Sequence, residues 1–130
     1  MVFLQCVLKR DNNMDKIETL KKNYEFKNVL NKGNYFIEKQ IIVYITKNKT
    51  SKNCIGIAIN TKLCHAIKRN YLKRLIRENY RKQQNSLTGG HNIVFLWNKN
   101  TMPSEADFYE IGKNMTQAFK KAGIYKQKED

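Results

Sequence analysis

The strongest constraint on the fold of this chain is residues 66–82, which contain neither proline nor glycine and repeat apolar residues at helical spacing. At about 100° per residue, four apolar side chains gather on one side of such a helix: Leu72, Leu75, Ile76 and Tyr80. Basic residues recur at i, i+4 spacing on the other side: Arg69, Lys73, Arg77 and Arg81. The pattern predicts a helix docked by one side and strongly basic on the opposite side.

The charge of this segment is as unusual as its periodicity. Residues 62–82 hold eight basic side chains and one acid, Glu78, so their net charge of +7 is half of the +14 of the whole chain. Like charges at i, i+4 spacing destabilise an isolated helix, and a merely solvated helix face usually mixes signs. The arginines suit bidentate contacts to phosphate. A polyanionic partner is therefore expected, with nucleic acid as the first candidate and an anionic membrane surface as the second.

The remaining patterns predict one mixed domain over residues 15–127, with an extension at 1–14 and a short tail at 128–130. A first helix begins after Asn23 as N-cap and ends at Gly33. Strands are predicted at 36–46, with 35–39 as a separate weaker strand, and at 54–60 and 93–97, and a loop at 83–92. A last helix starts with Ser104 as cap and Asp107 as its capping-box partner, and ends at Gly123. The predicted class is α+β, an α/β sandwich on one sheet in the order α-β-β-β-α-β-α.

Several segments, in this order along the chain, resemble one family. Residues 69–77 read RNYLKRLIR and resemble the Arg-Asn-Arg signature helix of bacterial ribonuclease P proteins. Residues 20–30, 40–46, 55–60 and 123–126 resemble other segments of the same family. The resemblance covers residues 17–127 and implies a left-handed crossover between the last two parallel strands.

The resemblance also implies a function. Ribonuclease P removes the 5′ leader of precursor tRNA by hydrolysis in the cytoplasm, and its catalyst is a large RNA with bound Mg²⁺. The protein subunit would then carry no catalytic residue, metal site or organic cofactor of its own. Its partners would be the catalytic RNA and precursor tRNA, with no membrane and no obligate protein partner.

Two sets of residues in this chain match positions of the family that contact RNA. The set implied to face the catalytic RNA is Lys62, Lys68, Arg69, Asn70, Lys73, Arg74, Arg77 and Arg81. The set implied to contact the single-stranded leader is Phe26, Leu30, Tyr44 and Tyr125. Phe26 and Leu30 also fit the core side of an amphipathic helix, so both interpretations stay open for them. Tyr71 departs from the signature, where the family has a second arginine; it removes one phosphate contact or replaces it by stacking.

Other classes of function fit the residues less well. A stand-alone nuclease needs grouped carboxylates for a metal, or an acid and a base near a phosphate, and here the acids are scattered and the histidines are only His65 and His91. The odd set Cys6, Cys54 and Cys64 has wide spacings that predict inert thiols in a reducing compartment. No apolar run approaches the roughly 20 residues of a membrane span. A generic basic RNA- or DNA-binding module is the alternative.

Overall fold

The computed structural model describes residues 17–126, which form one five-stranded sheet and three longer helices. The elements in chain order are β1 (Glu18–Thr19), α1 (Asn23–Lys32), β2 (Asn34–Ile37), β3 (Ile41–Lys47), β4 (Cys54–Ala58), α2 (Ala66–Gln83), β5 (His91–Trp97) and α3 (Phe108–Ala122). After the two-residue β1, this is the predicted α-β-β-β-α-β-α order, and the α+β class is confirmed. The predicted extension at 1–14 and tail at 128–130 lie outside the described residues.

The sheet combines a hairpin with a parallel crossover. Its strand order is β1-β4-β5-β3-β2; β2, β3 and β5 pair antiparallel, whereas β4 pairs parallel with β5 and with β1. Parallel neighbours need a crossover connection, and α2 supplies it between β4 and β5. The predicted crossover helix is therefore confirmed, while the handedness of the connection stays a prediction from the resemblance.

The pleat of the strands separates the sheet into two faces. On β3, Ile41, Val43 and Ile45 are buried on the face that α2 and α3 cover, and Ile42 and Tyr44 lie on the opposite face. Phe95 of β5 is fully buried at the centre of the larger core. Its ring makes edge contacts with Tyr80 of α2 and Phe119 of α3, at centroid distances of 6.0 and 6.1 Å.

The alternating segment 36–46 is not one strand but two, β2 and β3, separated by a turn at residues 38–40. Buried polar contacts from distant parts of the chain hold this turn. The backbone N–H of Gln40 donates to Asn114 Oδ1 at 2.8 Å, and Asn98 Nδ2 donates to the Glu38 carbonyl at 2.8 Å. Lys121 pairs with the buried Glu38 carboxylate at 3.0 Å. The weaker separate strand in the prediction was therefore the correct interpretation.

The N-cap residues of α1 and α3 both differ from the predicted ones. Lys22, not Asn23, precedes α1, and its backbone N–H donates to the Glu25 carboxylate at 3.2 Å. Ser104 lies in a short 3₁₀ turn, Pro103–Glu105, and α3 begins after Asp107, whose carboxylate accepts from the Glu110 N–H at 2.8 Å. The Ser104 cap was therefore wrong, because Asp107 is itself the N-cap and has Glu110 three residues on.

Candidate RNA-binding surfaces

The apolar side of α2 docks as the sequence predicts. Leu72, Ile76 and Tyr80 are buried against the sheet, and Leu75 packs partly against the same core. Burial raises the pKa of Tyr80 far above its usual value, so its hydroxyl stays protonated. One polar residue shares this side: Asn79 is buried, and its amide donates to the carbonyls of Leu75 and Phe108 at 2.9 and 3.0 Å. The helix is therefore fixed along its length between the sheet and α3.

The basic ladder lies on the flank of α2 and not on its outer side. Lys73 and Arg77 are only partly exposed, because the buried Tyr80 widens the stripe toward them. The residues that point away from the core are Ile67, Asn70, Tyr71 and Arg74, which are all exposed. The prediction that the ladder opposes the buried side was wrong by about a quarter of a turn.

Two of the predicted RNA-contacting arginines have partners within the protein. Arg69 Nη1 donates to the Cys64 carbonyl at 2.7 Å and to the Thr61 carbonyl at 3.4 Å, which fastens the loop before α2. The side chain of Arg81 is only 25% exposed and lies 3.8 Å from the Glu78 carboxylate. Lys62 is exposed in the loop before α2, and Lys68 lies over the Tyr71 ring. These contacts reduce the part of the guanidinium groups of Arg69 and Arg81 that a partner can reach.

The predicted leader residues Phe26, Leu30 and Tyr44 share the sheet face opposite to α2. Val29 of α1 is fully buried there, and Phe26 and Leu30 are half-buried on either side of it. The Phe26 ring lies directly over Gly56, where an added Cβ would come within 2.5 Å of the ring. Gly56 is in register with Val94, and Val94 with Tyr44, so Phe26 and Tyr44 lie about two strand spacings, roughly 10 Å, apart. For Phe26 and Leu30, the core interpretation holds in part, and contact with the leader stays a prediction.

Tyr35 is a candidate that the sequence analysis missed. It is in register with Tyr44 on the neighbouring strand, its ring centroid lies 5.6 Å from that of Tyr44, and the residue is 59% exposed. The separate strand 35–39 was the signal that could have revealed it, since a hairpin partner of Tyr44 must share its face. Tyr125, in contrast, pairs with Leu87 after α2 and packs against the core beneath α2 and α3, with Lys120 over its ring. It is not grouped with the other three leader residues.

A groove joins the basic flank of α2 to this aromatic face. Within residues 17–126, β4 has a strand partner on its outer side only at Cys54 and Ile55, because β1 is two residues long. The groove opens beside the rest of β4 and has a volume of about 540 Å³. Its apolar lining includes Leu20, Phe26 and Ile57, and its cationic lining is Lys21, Lys73 and Arg77.

The same sheet face continues one pleat beyond the Tyr35–Tyr44 pair. Ile37, Ile42, Leu96 and Ala58 are in register across β2, β3, β5 and β4 and line a second groove of about 530 Å³. Asn60, Asn98, Lys99 and Asn100 also line this groove. This face of the sheet therefore carries a second groove, which is apolar with polar edges.

The described histidines and cysteines are dispersed over the fold. In the described range 17–126, no three His, Cys, Asp or Glu side chains are grouped as a metal site requires. His65 precedes α2 as its N-cap residue, and His91 Nδ1 lies 3.3 Å from the Thr88 carbonyl in the loop. Cys54 and Cys64 are half-buried free thiols, and burial raises the pKa of Cys54. Cys6 lies outside the described residues.

None of the three described helices has the length and apolarity that crossing a bilayer requires.

A basic helix docked on a sheet, next to an open aromatic strand face, defines a small single-sheet protein built to bind RNA. The family described as Ribonuclease P matches residues 14–123. A ribonuclease P protein component from Clostridium botulinum (strain Alaska E43 / Type E3) is 34% identical over 121 residues, which cover 88% of this chain and 95% of that protein. The chain belongs to the ribonuclease P protein family.

Solved structures agree with this assignment. The RNase P protein of Staphylococcus aureus superposes with a TM-score of 0.73 at 26% identity, over 85% of this chain and 99% of that one. The RNase P protein from Thermotoga maritima has the same fold, with a TM-score of 0.72 at 24% identity over 80% and 96% of the two chains.

Proposed function

We propose that this chain is the protein subunit of a bacterial ribonuclease P and acts in the cytoplasm with the catalytic RNA on precursor tRNA. The observation that carries the proposal is the groove lined by Phe26, Lys73 and Arg77, which places an aromatic ring from the opposite face of the sheet beside the basic flank of α2. Membership of the ribonuclease P protein family points to the catalytic RNA as the partner. This surface would allow the protein to bind two RNAs at once.

In this proposal the outer side and flank of α2 bind the catalytic RNA. Arg74 and Asn70 are exposed, and Lys62 extends the positive charge into the preceding loop. Folded RNA presents phosphates and ribose edges, which guanidinium and amide groups recognise. Arg69 and Arg81 support this surface through their contacts to the Cys64 carbonyl and to Glu78.

The single-stranded leader would lie along Phe26, Leu30, Tyr35 and Tyr44. Lys73 and Arg77 line the groove at the border of the two surfaces, where they can neutralise leader phosphates as well as those of the catalytic RNA. Aromatic stacking tolerates any base, because each base offers a π-face. A subunit that must accept many leader sequences needs this kind of contact.

Hydrolysis is assigned to the RNA, with Mg²⁺ bound mainly by that RNA and no organic cofactor. When bound, the metal supplies Lewis-acid and nucleophile-generating chemistry at the scissile phosphate. The protein's residues bind and position the RNAs; none of them takes part in the hydrolysis, and no obligate protein partner is required.

Reconstitution tests the proposed function directly. Adding this chain to a bacterial ribonuclease P RNA at near-physiological Mg²⁺ should restore 5′ cleavage of precursor tRNA under conditions in which that RNA alone is slow. The protein without RNA should leave precursor tRNA intact. A chain that binds RNA but fails to rescue cleavage would indicate the alternative, a generic basic RNA- or DNA-binding module.

Replacing Tyr44 by alanine tests the leader surface. Loss of one stacked base, worth about 1–3 kcal/mol, should reduce the preference for precursor over mature tRNA by about tenfold. Affinity for the catalytic RNA should not change, since Tyr44 lies on the sheet face opposite to α2. Competition binding of the two tRNAs to the reconstituted enzyme measures the preference, with Tyr109→Ala, on α3, as the control. An unchanged preference would mean that the leader does not contact this face.

A further inference from the structure

The outer side of α2 carries two exposed apolar side chains within a strongly basic surface. Ile67 is 86% exposed, and Tyr71, one turn later, is 41% exposed. Residues four apart are neighbours on a helix, so the two side chains form one patch. An exposed apolar patch inside a strongly charged surface indicates a binding contact.

The surroundings of Tyr71 determine what such a contact would recognise. Lys68 Nζ lies 5.0 Å from the centroid of the Tyr71 ring, and Arg74 and Asn70 are exposed beside it. A ring with one cation over it and an exposed arginine nearby favours a partner that is flat, electron-rich and anionic at its edges. Nucleobases in a phosphate backbone have these properties, and the π-face of a base stacks on tyrosine.

We propose that Tyr71, supported by Ile67, stacks on an unpaired base of the catalytic RNA while Lys68 and Arg74 contact the flanking phosphates. The inference rests on the proposed function and adds a base contact to a surface otherwise assigned to phosphates. The base belongs to a loop, bulge or end, because a paired and stacked base offers no free face.

The leader does not account for this site. Tyr71 points outward from α2, which covers the Val43 face of the sheet, whereas Phe26 and Tyr44 lie on the opposite face. The exposed tyrosine and isoleucine are therefore a second aromatic contact, separated from the leader surface by the helix and the sheet.

Salt dependence distinguishes stacking from a phosphate contact. Tyr71→Ala should raise the Kd for a bacterial ribonuclease P RNA by about tenfold, within the 5- to 150-fold range of one stacked base. The slope of log Kd against log salt should stay unchanged, because no charge is lost. Tyr71→Phe should bind within twofold of the original chain. Tyr71→Lys should steepen the slope by about one without restoring the stacked base, because an ammonium group adds charge but has no flat face.

Chemical probing of the RNA locates the base. One unpaired nucleotide should be protected by the original chain and by Tyr71→Phe, and reactive with Tyr71→Ala and Tyr71→Lys. Tyr109→Ala, which removes a 76% exposed tyrosine from α3, is the matched control and should alter neither Kd nor protection. Equal unfolding midpoints for all variants show that the fold is retained.

Two outcomes would contradict the proposal, and both differ from failure of the proposed function. Unchanged affinity for Tyr71→Ala, or a lowered affinity with a flatter salt slope, would remove the stacking role while RNA binding by the original chain persists. An original chain that does not bind the RNA would instead reject the proposed function and this inference together.

Discussion

Replacing Arg74 and Arg77 together by alanine is expected to lower the affinity for a bacterial ribonuclease P RNA by at least roughly 100-fold at low salt. Arg74 is exposed on the outer side of α2, and Arg77 lines the groove beside β4. Hydrogen bonds to charged groups contribute about 1.5–3 kcal/mol each, and each lost phosphate contact flattens the plot of log Kd against log salt by about 0.9. The double variant should therefore have a slope shallower by about two. Filter binding over a salt series measures both quantities.

The matched control removes the same charge from another part of the surface. Lys39 lies in the turn between β2 and β3 and Lys113 lies on α3, and both are exposed. Lys39→Ala with Lys113→Ala should leave the slope unchanged and the affinity within about twofold, since only long-range attraction is lost. Equal losses in the two double variants would mean that the RNA responds to net charge and that α2 is not a specific contact.

Arg69 is a less suitable residue for this test, although the resemblance implies that it also faces the catalytic RNA. Its guanidinium donates to the Cys64 and Thr61 carbonyls, so Arg69→Ala would also loosen the loop before α2. A loss of RNA affinity in that variant would combine a lost contact with a displaced loop. Arg74 has the clearer interpretation because it is exposed.

Local patterns predicted the order of the elements because helix and strand periodicity depends only on residues that are close together in the sequence. Helix 66–82 and strand 93–97 were placed to within two residues of α2 and β5 for this reason. Local periodicity left the break at residues 38–40 as one of two alternatives, beside a single strand over residues 36–46, and could not decide between them. The hydrogen bonds that hold it come from Asn98 and Asn114, which lie about 60 and 74 residues further along the chain.

The candidate site was also predictable only where it depends on residues that are close together in the sequence. The buried stripe of α2 follows from helical geometry alone, and the basic character of the exposed remainder follows from composition. Whether an arginine is free depends on neighbours that only the fold supplies, such as the Cys64 carbonyl for Arg69. The groove between Phe26 and Arg77 depends on the short length of β1, which within residues 17–126 pairs with only two of the five residues of β4.

Replacing Phe95 by alanine is expected to lower the free energy of unfolding by about 3–5 kcal/mol, the largest effect on stability among these variants. Phe95 is fully buried on the central strand β5, and its ring contacts Tyr80 and Phe119. Both helices of the larger core lose packing when this ring is removed, and a cavity remains because neither helix can move far. Urea denaturation of the free protein measures the change in midpoint and slope.

The Tyr109→Ala variant is the control, since it removes an exposed aromatic ring and should change stability by less than about 0.5 kcal/mol. Phe95→Ala should still bind the catalytic RNA with the original salt slope where it remains folded, because no charge or surface residue has changed. Its apparent affinity should fall only as the unfolded fraction rises. A stability loss near that of the control would mean that Phe95 is not the centre of the core. A changed salt slope in the folded variant would mean that the position of α2 relative to the RNA depends on this ring.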